Sequence, residues 1–190
     1  MKYLPLFRMP TPIKITSRSS SITNAFINSI IPIIQPTENQ VMEAFSILEM
    51  SPDTFQCSYC GGTATEWDHL RPLVLNKKPT GYVSEIQNLV PACGKCNQSK
   101  GNKKWREWML SDARLSPKTK GVSDLSERIK RLEKYEKWGT PTKVEFEAIV
   151  GTKFLKKHWQ NLKQVQSLMR KSQKLAKQIS SKVENEYKKL

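Results

Sequence analysis

The chain's four cysteines fall in two Cys-x-x-Cys pairs, Cys57/Cys60 and Cys93/Cys96. Between the pairs lies Asp68-His69, and the second pair runs directly into Asn97. Two matched knuckles of this spacing are the usual geometry for tetrahedral zinc bound by four thiolates. Such a site has no open position, so its ion ties the chain together and takes no part in chemistry. Asp68 and Asn97 offer a carboxylate and an amide oxygen. That pair suits a hard ion such as Mg²⁺, which keeps several waters and binds phosphate. Successive strand residues face opposite ways, so His69 would point away from Asp68's metal and be free to deprotonate a water.

These residues need elements to hold them, and the sequence divides into three segments. Residues 1–54 read as an N-terminal arm and helix. The arm covers residues 1–22, a short helix starts near Ser20 to Thr23, and Pro32 ends it. A second helix begins at Thr37, with Gln40 completing a capping box, and reaches about Met50.

Residues 55–112 carry the cysteines. Gly61-Gly62 turns the chain after the first knuckle, and residues 63–70 and 71–75 read as two short strands. Residues 76–81 form a polar loop. The second knuckle opens a helix over about 94–100, which Gly101 interrupts, and a helix at 103–110 puts Trp105, Trp108 and Met109 on its apolar side. Residues 113–190 read as a basic helical region. In it, a helix capped by Ser123 or Asp124 runs to Trp138, and a shorter one covers 142–150. A long helix over 153–188 follows, about 54 Å at the usual rise. Its apolar stripe gives a weak coiled-coil signal.

In order, the motif residues are Cys57-x2-Cys60, Asp68-His69, Asn88-Leu89-x-Pro91, Cys93-x2-Cys96, Asn97 and Lys100-Gly101. This arrangement resembles the HNH (ββα-metal) endonuclease family in its zinc-stapled form, over about residues 57–103. The resemblance implies an α+β fold: a small zinc-stapled ββα module with mainly helical extensions on both sides. It also implies phosphodiester hydrolysis with one Mg²⁺ or Mn²⁺ on Asp68 and Asn97, leaving 5′-phosphate and 3′-hydroxyl ends. His69 is then the general base, and Asn88 fixes the loop that positions it. The family's last histidine is Asn97 here, which favours Mg²⁺ or Mn²⁺ over Ni²⁺ or Zn²⁺.

Taken singly, these residues have plainer uses. Asn97 alone suits a helix cap, Asn88 a turn, and Asp68-His69 a surface pair in a zinc ribbon that only binds nucleic acid.

The net charge is +15, and residues 113–190 hold +12 of it. A polyanion partner follows, since lysines that neutralise phosphates release condensed counterions. Double-stranded DNA is the expected substrate, with Arg71, Lys100, Lys103 and Lys104 contacting it. The first reading is a site-specific, type II restriction-like endonuclease. A homodimer is expected to supply the second cut, with the long helix as its contact. The alternatives are a homing, phage or nicking HNH enzyme, and a non-catalytic zinc-stabilised nucleic-acid-binding module. No apolar run approaches the roughly 20 residues that span a bilayer, and no secretory leader is visible, so the chain reads as cytoplasmic with no membrane partner.

Overall fold

The computed structural model describes residues 7–139, 141 and 143–190. The first six residues of the expected arm, and position 142 where a short helix was expected to begin, lie outside them. Among the described residues the fold is α+β, mostly helical with two small antiparallel sheets. The described residues form two compact units: one within residues 27–149, and one of residues 7–26 together with 150–190.

Within the first unit, Thr37 caps α2 (Glu38–Ile47) through the capping box its sequence predicts. The cysteine segment supplies β1 (Glu66–His69), β2 (Val74–Leu75), β3 (Lys78–Pro79), β4 (Leu89–Ala92), α3 (Gly94–Lys100) and α4 (Trp105–Met109). α5 (Leu125–Trp138) and α6 (Phe146–Val150) follow it. In the second unit, α1 (Ser19–Asn28) starts beside a 3₁₀ turn at Ile15–Arg18, and α7 (Thr152–Tyr187) runs 36 residues. Thr23, Ile15 and the Phe26 carbonyl bond Gln166, Gln173 and His158 of α7. The expected arm is therefore helical from Ile15 onward and held by side chains of the long helix.

The strands differ from the two expected at 63–70 and 71–75: they are shorter, and a further strand, β4, lies at Leu89–Ala92. β1 does not pair with residues 71–75; it pairs antiparallel with β4, which leads into the second knuckle, in the register Asp68↔Val90 and His69↔Leu89. The physical reason lies at residues 70–72. Leu70 N–H is already taken by the Asn88 carbonyl, and Pro72 has no N–H to offer a ladder. Val74–Leu75 instead turns back on Lys78–Pro79 inside the expected polar loop. Asn76 and Lys77, at φ 51° and 60°, form the two-residue turn with positive φ that such hairpins prefer.

The core gathers around the knuckles. Ala44 and Leu48 from the α2 side, Tyr59, Leu70, Val90, Cys96, Trp105, Trp108, Met109, and Leu132 and Tyr135 of α5 form one buried cluster. Trp105 and Trp108 are thus core residues. The compact units cut across the three segments expected from sequence, because α2 and α5 bury their apolar faces on the cysteine module. A ββα unit alone is too small to exclude water from these surfaces.

Two side chains of α5 reach the functional loops directly. Tyr135 Oη donates to the carbonyls of Ile86 and Leu89, and Arg128 Nη1 donates to the Cys57 carbonyl while Nε pairs with Asp124. Gly61, at φ 74°, lies so close to this guanidinium that a Cβ there would sit 2.5 Å from Nη2. Gly61 is therefore required both for the turn and for the approach of Arg128.

Candidate active site and metal centre

The four cysteine sulfurs lie within 4.8 Å of one another, and Cys60 and Cys93 are 3.8 Å apart. A tetrahedron with zinc–sulfur bonds of about 2.3 Å has edges of about 3.8 Å, so the cluster fits zinc. Backbone bonds set each knuckle: Cys57 N–H to the Gly62 carbonyl, Gly61 N–H to Cys57, and Asn97 N–H to Cys93. Crowding sets Cys57, Cys60 and Cys96 in conflict over ionisation. The contact with Cys60 pushes Cys57 up to about 11, the contacts with Cys57 and Cys60 raise Cys96, and the contact with Cys57 lowers Cys60. A divalent ion removes that conflict.

By joining the start of α3 to the loop before β1, the cluster lays the helix against the strand. Glu66 and Asp68, two apart on β1, share a face; Asn97 and Lys100, three apart on α3, share another. They meet as two rungs. Glu66 Oε2 accepts from Asn97 Nδ2 at 2.6 Å. Asp68 Oδ2 lies 2.9 Å from Lys100 Nζ and accepts from Tyr59 Oη at 2.6 Å, while Oδ1 lies 3.2 Å from the same ammonium. Tyr59 and Lys100 are wholly buried and Asp68 nearly so. Burial raises the Asp68 carboxyl and lowers the Lys100 ammonium, and their mutual attraction opposes both shifts. Burial, reinforced by the charge of Asp68, holds the Tyr59 phenol well above its usual range, so it stays a donor.

His69 faces the other way, as strand alternation requires, and its Nε2 lies 2.8 Å from Ser84 Oγ. Burial, and then the nearby Lys100 charge, lowers the imidazole to about 4, so it is neutral at neutral pH. Asn88 is fully buried behind it. Its Oδ1 accepts from Arg71 N–H at 2.8 Å and its Nδ2 donates to the Arg71 carbonyl at 3.1 Å. One amide thus clamps both backbone groups two residues beyond His69. Asn88→Ala is expected to cost about 1–3 kcal/mol by orphaning those groups. A urea titration that leaves the midpoint unchanged would show the clamp to be idle.

The predicted DNA contacts separate into two kinds. Lys103 and Lys104 are exposed. Lys100 is not: it is buried on Asp68 and also donates to the carbonyls of His69 and Gly101. Arg71 is likewise turned inward, with Nη2 donating to the Glu136 carbonyl at 2.7 Å, where its charge sits favourably at the C-terminal end of α5. Asn97 does not cap α3, since Cys93 holds that position. Glu66, Tyr59 and Ser84 are site residues that the sequence reading did not select. Position i−2 from Asp68 pointed to Glu66, and only the fold points to the other two.

The donor set fits a hard cation. Asp68 supplies a carboxylate whose oxygens also accept from Tyr59 and face Lys100, and Asn97 supplies an amide oxygen, both hard donors. Asn97 spends its amide nitrogen on Glu66, so its oxygen is turned away and free to coordinate.

Comparison with known proteins agrees with this geometry. The family model described as HNH endonuclease matches residues 57–103. A curated CRISPR-associated endonuclease Cas9 of Corynebacterium diphtheriae is 40% identical over 57 residues, covering 28% of this chain and 5% of the relative. The chain therefore spans a small part of that relative's length. No solved structure matches. Residues 57–103 are an HNH endonuclease domain in its zinc-stapled form.

Proposed function

We propose that this protein is a metal-dependent endonuclease that hydrolyses phosphodiester bonds in double-stranded DNA at specific sites, in the manner of a restriction enzyme. One observation carries the reading: a half-buried imidazole at His69, lowered to about 4 by burial, with Asp68 beside it on β1 and Asn97 on α3, inside a matched HNH domain.

In this mechanism His69 takes the proton of the attacking water. Ser84 Oγ engages Nε2, and either neutral tautomer keeps one ring nitrogen unprotonated at neutral pH. Asn88 holds the chain beyond His69 and so fixes where the imidazole points. Asp68 and Asn97 would hold Mg²⁺ or Mn²⁺, which supplies charge stabilisation at the phosphate and leaving oxygen. Exposed Lys103 and Lys104 contact the DNA backbone, and the lysine-rich C-terminal region adds sequence-independent affinity. Each site cuts one strand, so a double-strand break uses two protomers or two events.

A second reading rests on Lys100. Its ammonium already neutralises Asp68, as would suit a zinc-stabilised module that binds nucleic acid without cutting it.

Digestion of a plasmid of known sequence with added Mg²⁺, wild type beside His69→Ala, separates the two. Discrete bands from the wild type, with the variant about a hundredfold slower or worse, are expected. Equal cleavage by His69→Ala excludes that residue as base. A smear or nicked circles discards the restriction-like reading, and DNA bound but uncut selects the binding module.

A further inference from the structure

Resting on the nuclease reading above, we propose that Glu66 is a positioning residue that sets which face of the Asn97 amide meets the cation. An asparagine amide is nearly symmetrical in shape and opposite in chemistry at its two ends. Turned one way it offers a metal an oxygen; turned the other way it offers an NH₂ group that repels it. Nothing in Asn97 itself makes that choice.

Glu66 makes it. Asn97 Nδ2 donates to Glu66 Oε2 at 2.6 Å, so the amide oxygen is turned away from Glu66. The glutamate is itself held in place. A Cβ at Gly94 would lie 2.9 Å from Glu66 Oε1, so the carboxylate rests against the first turn of α3 in space that a side chain would fill. Strand parity supports the pairing, since Glu66 shares a face of β1 with Asp68. The two rungs across β1 and α3 thus divide the labour: Asp68 carries charge towards the cation, and Glu66 acts through Asn97.

The test uses the zinc-loaded full chain without DNA and follows Mn²⁺ binding by electron paramagnetic resonance. Zinc content confirms folding, and Glu66 is exposed, so its replacement leaves the core intact. Glu66→Ala is expected to raise the half-saturating Mn²⁺ concentration about tenfold or more, as is usual when a ligand's supporting partner is lost. Glu66→Gln should stay near wild type, because its amide oxygen still accepts from Asn97. In an Asn97→Asp background, Glu66→Ala should no longer weaken binding, since a carboxylate has no wrong face.

Unchanged Mn²⁺ binding in Glu66→Ala overturns the proposal. So does a tenfold loss that persists with Asn97→Asp, which would make Glu66 a ligand. If Asn97→Ala itself binds Mn²⁺ like wild type, the nuclease reading beneath the proposal fails instead.

Discussion

Cys96→Ser is expected to lose zinc binding and to unfold the unit spanning residues 27–149. Cys96 is fully buried, and its sulfur belongs to a four-thiolate cluster that joins the loop before β1 to the N-terminus of α3. Structural zinc in small domains contributes about 10–16 kcal/mol of apparent binding free energy, and that energy is folding energy. A domain of this size has only about 5–15 kcal/mol of net stability to lose. Serine is a poor zinc ligand, and the three remaining thiols would face one another without a cation. Tyr59 lies between the first two cysteines and packs edge-on against Trp108 at a ring separation of 5.2 Å, so tryptophan emission reports the collapse directly. The expected result is a stoichiometric loss of zinc, red-shifted emission and no cooperative urea transition. A variant with normal emission and a wild-type midpoint would show that α2 and α5 sustain the core without the ion.

What could be read from sequence was what is local in it. The cysteine spacing, Asp68-His69 and Asn97 are short-range patterns whose chemistry demands those residue types, and the metal cluster and the HNH match follow them. Helices with end signals were legible too: Thr37 caps α2 with its box, and α3 stops at Gly101. Asp124 begins α5 by another route, its carboxylate holding the Arg128 guanidinium instead of a backbone N–H. The pairing of β1 was not legible, because its partner lies beyond a hairpin closed by Asn76 and Lys77, and proximity in sequence favours the nearer segment. Charge was the least reliable guide. Lys100 and Arg71 counted as phosphate contacts while they were only positive letters beside a nuclease motif. In the fold Lys100 meets the buried Asp68 carboxylate and Arg71 the Glu136 carbonyl, which no periodicity announces.

Lys100→Met is the second large effect, expected to destabilise the same unit by about 3–5 kcal/mol although it adds apolar surface to a buried position. The side chains of Lys100 and Asp68 are 0% and 6% exposed, so neither charge has water to fall back on. Removing the ammonium leaves a buried carboxylate with no opposing charge, held by the Tyr59 hydroxyl and the His69 backbone, and takes a donor from the carbonyls of His69 and Gly101 as well. A surface lysine at that position would give almost nothing on replacement, which makes the measurement decisive about where the charge lies. Coupling separates the ion pair from mere packing. Asp68→Asn combined with Lys100→Met removes both charges while keeping an acceptor for Tyr59, so the double variant should be more stable than Lys100→Met alone. Urea midpoints followed through Trp108 give both quantities. A double variant no better than the single one would mean that Lys100 stabilises through its bonds to the two carbonyls, with Asp68 only a bystander. The cation site proposed beside it would then owe nothing to that pairing. Recovery in the double variant would mean instead that the fold keeps Asp68 ionised by holding a permanent positive charge against it, one a metal ion must share and not replace.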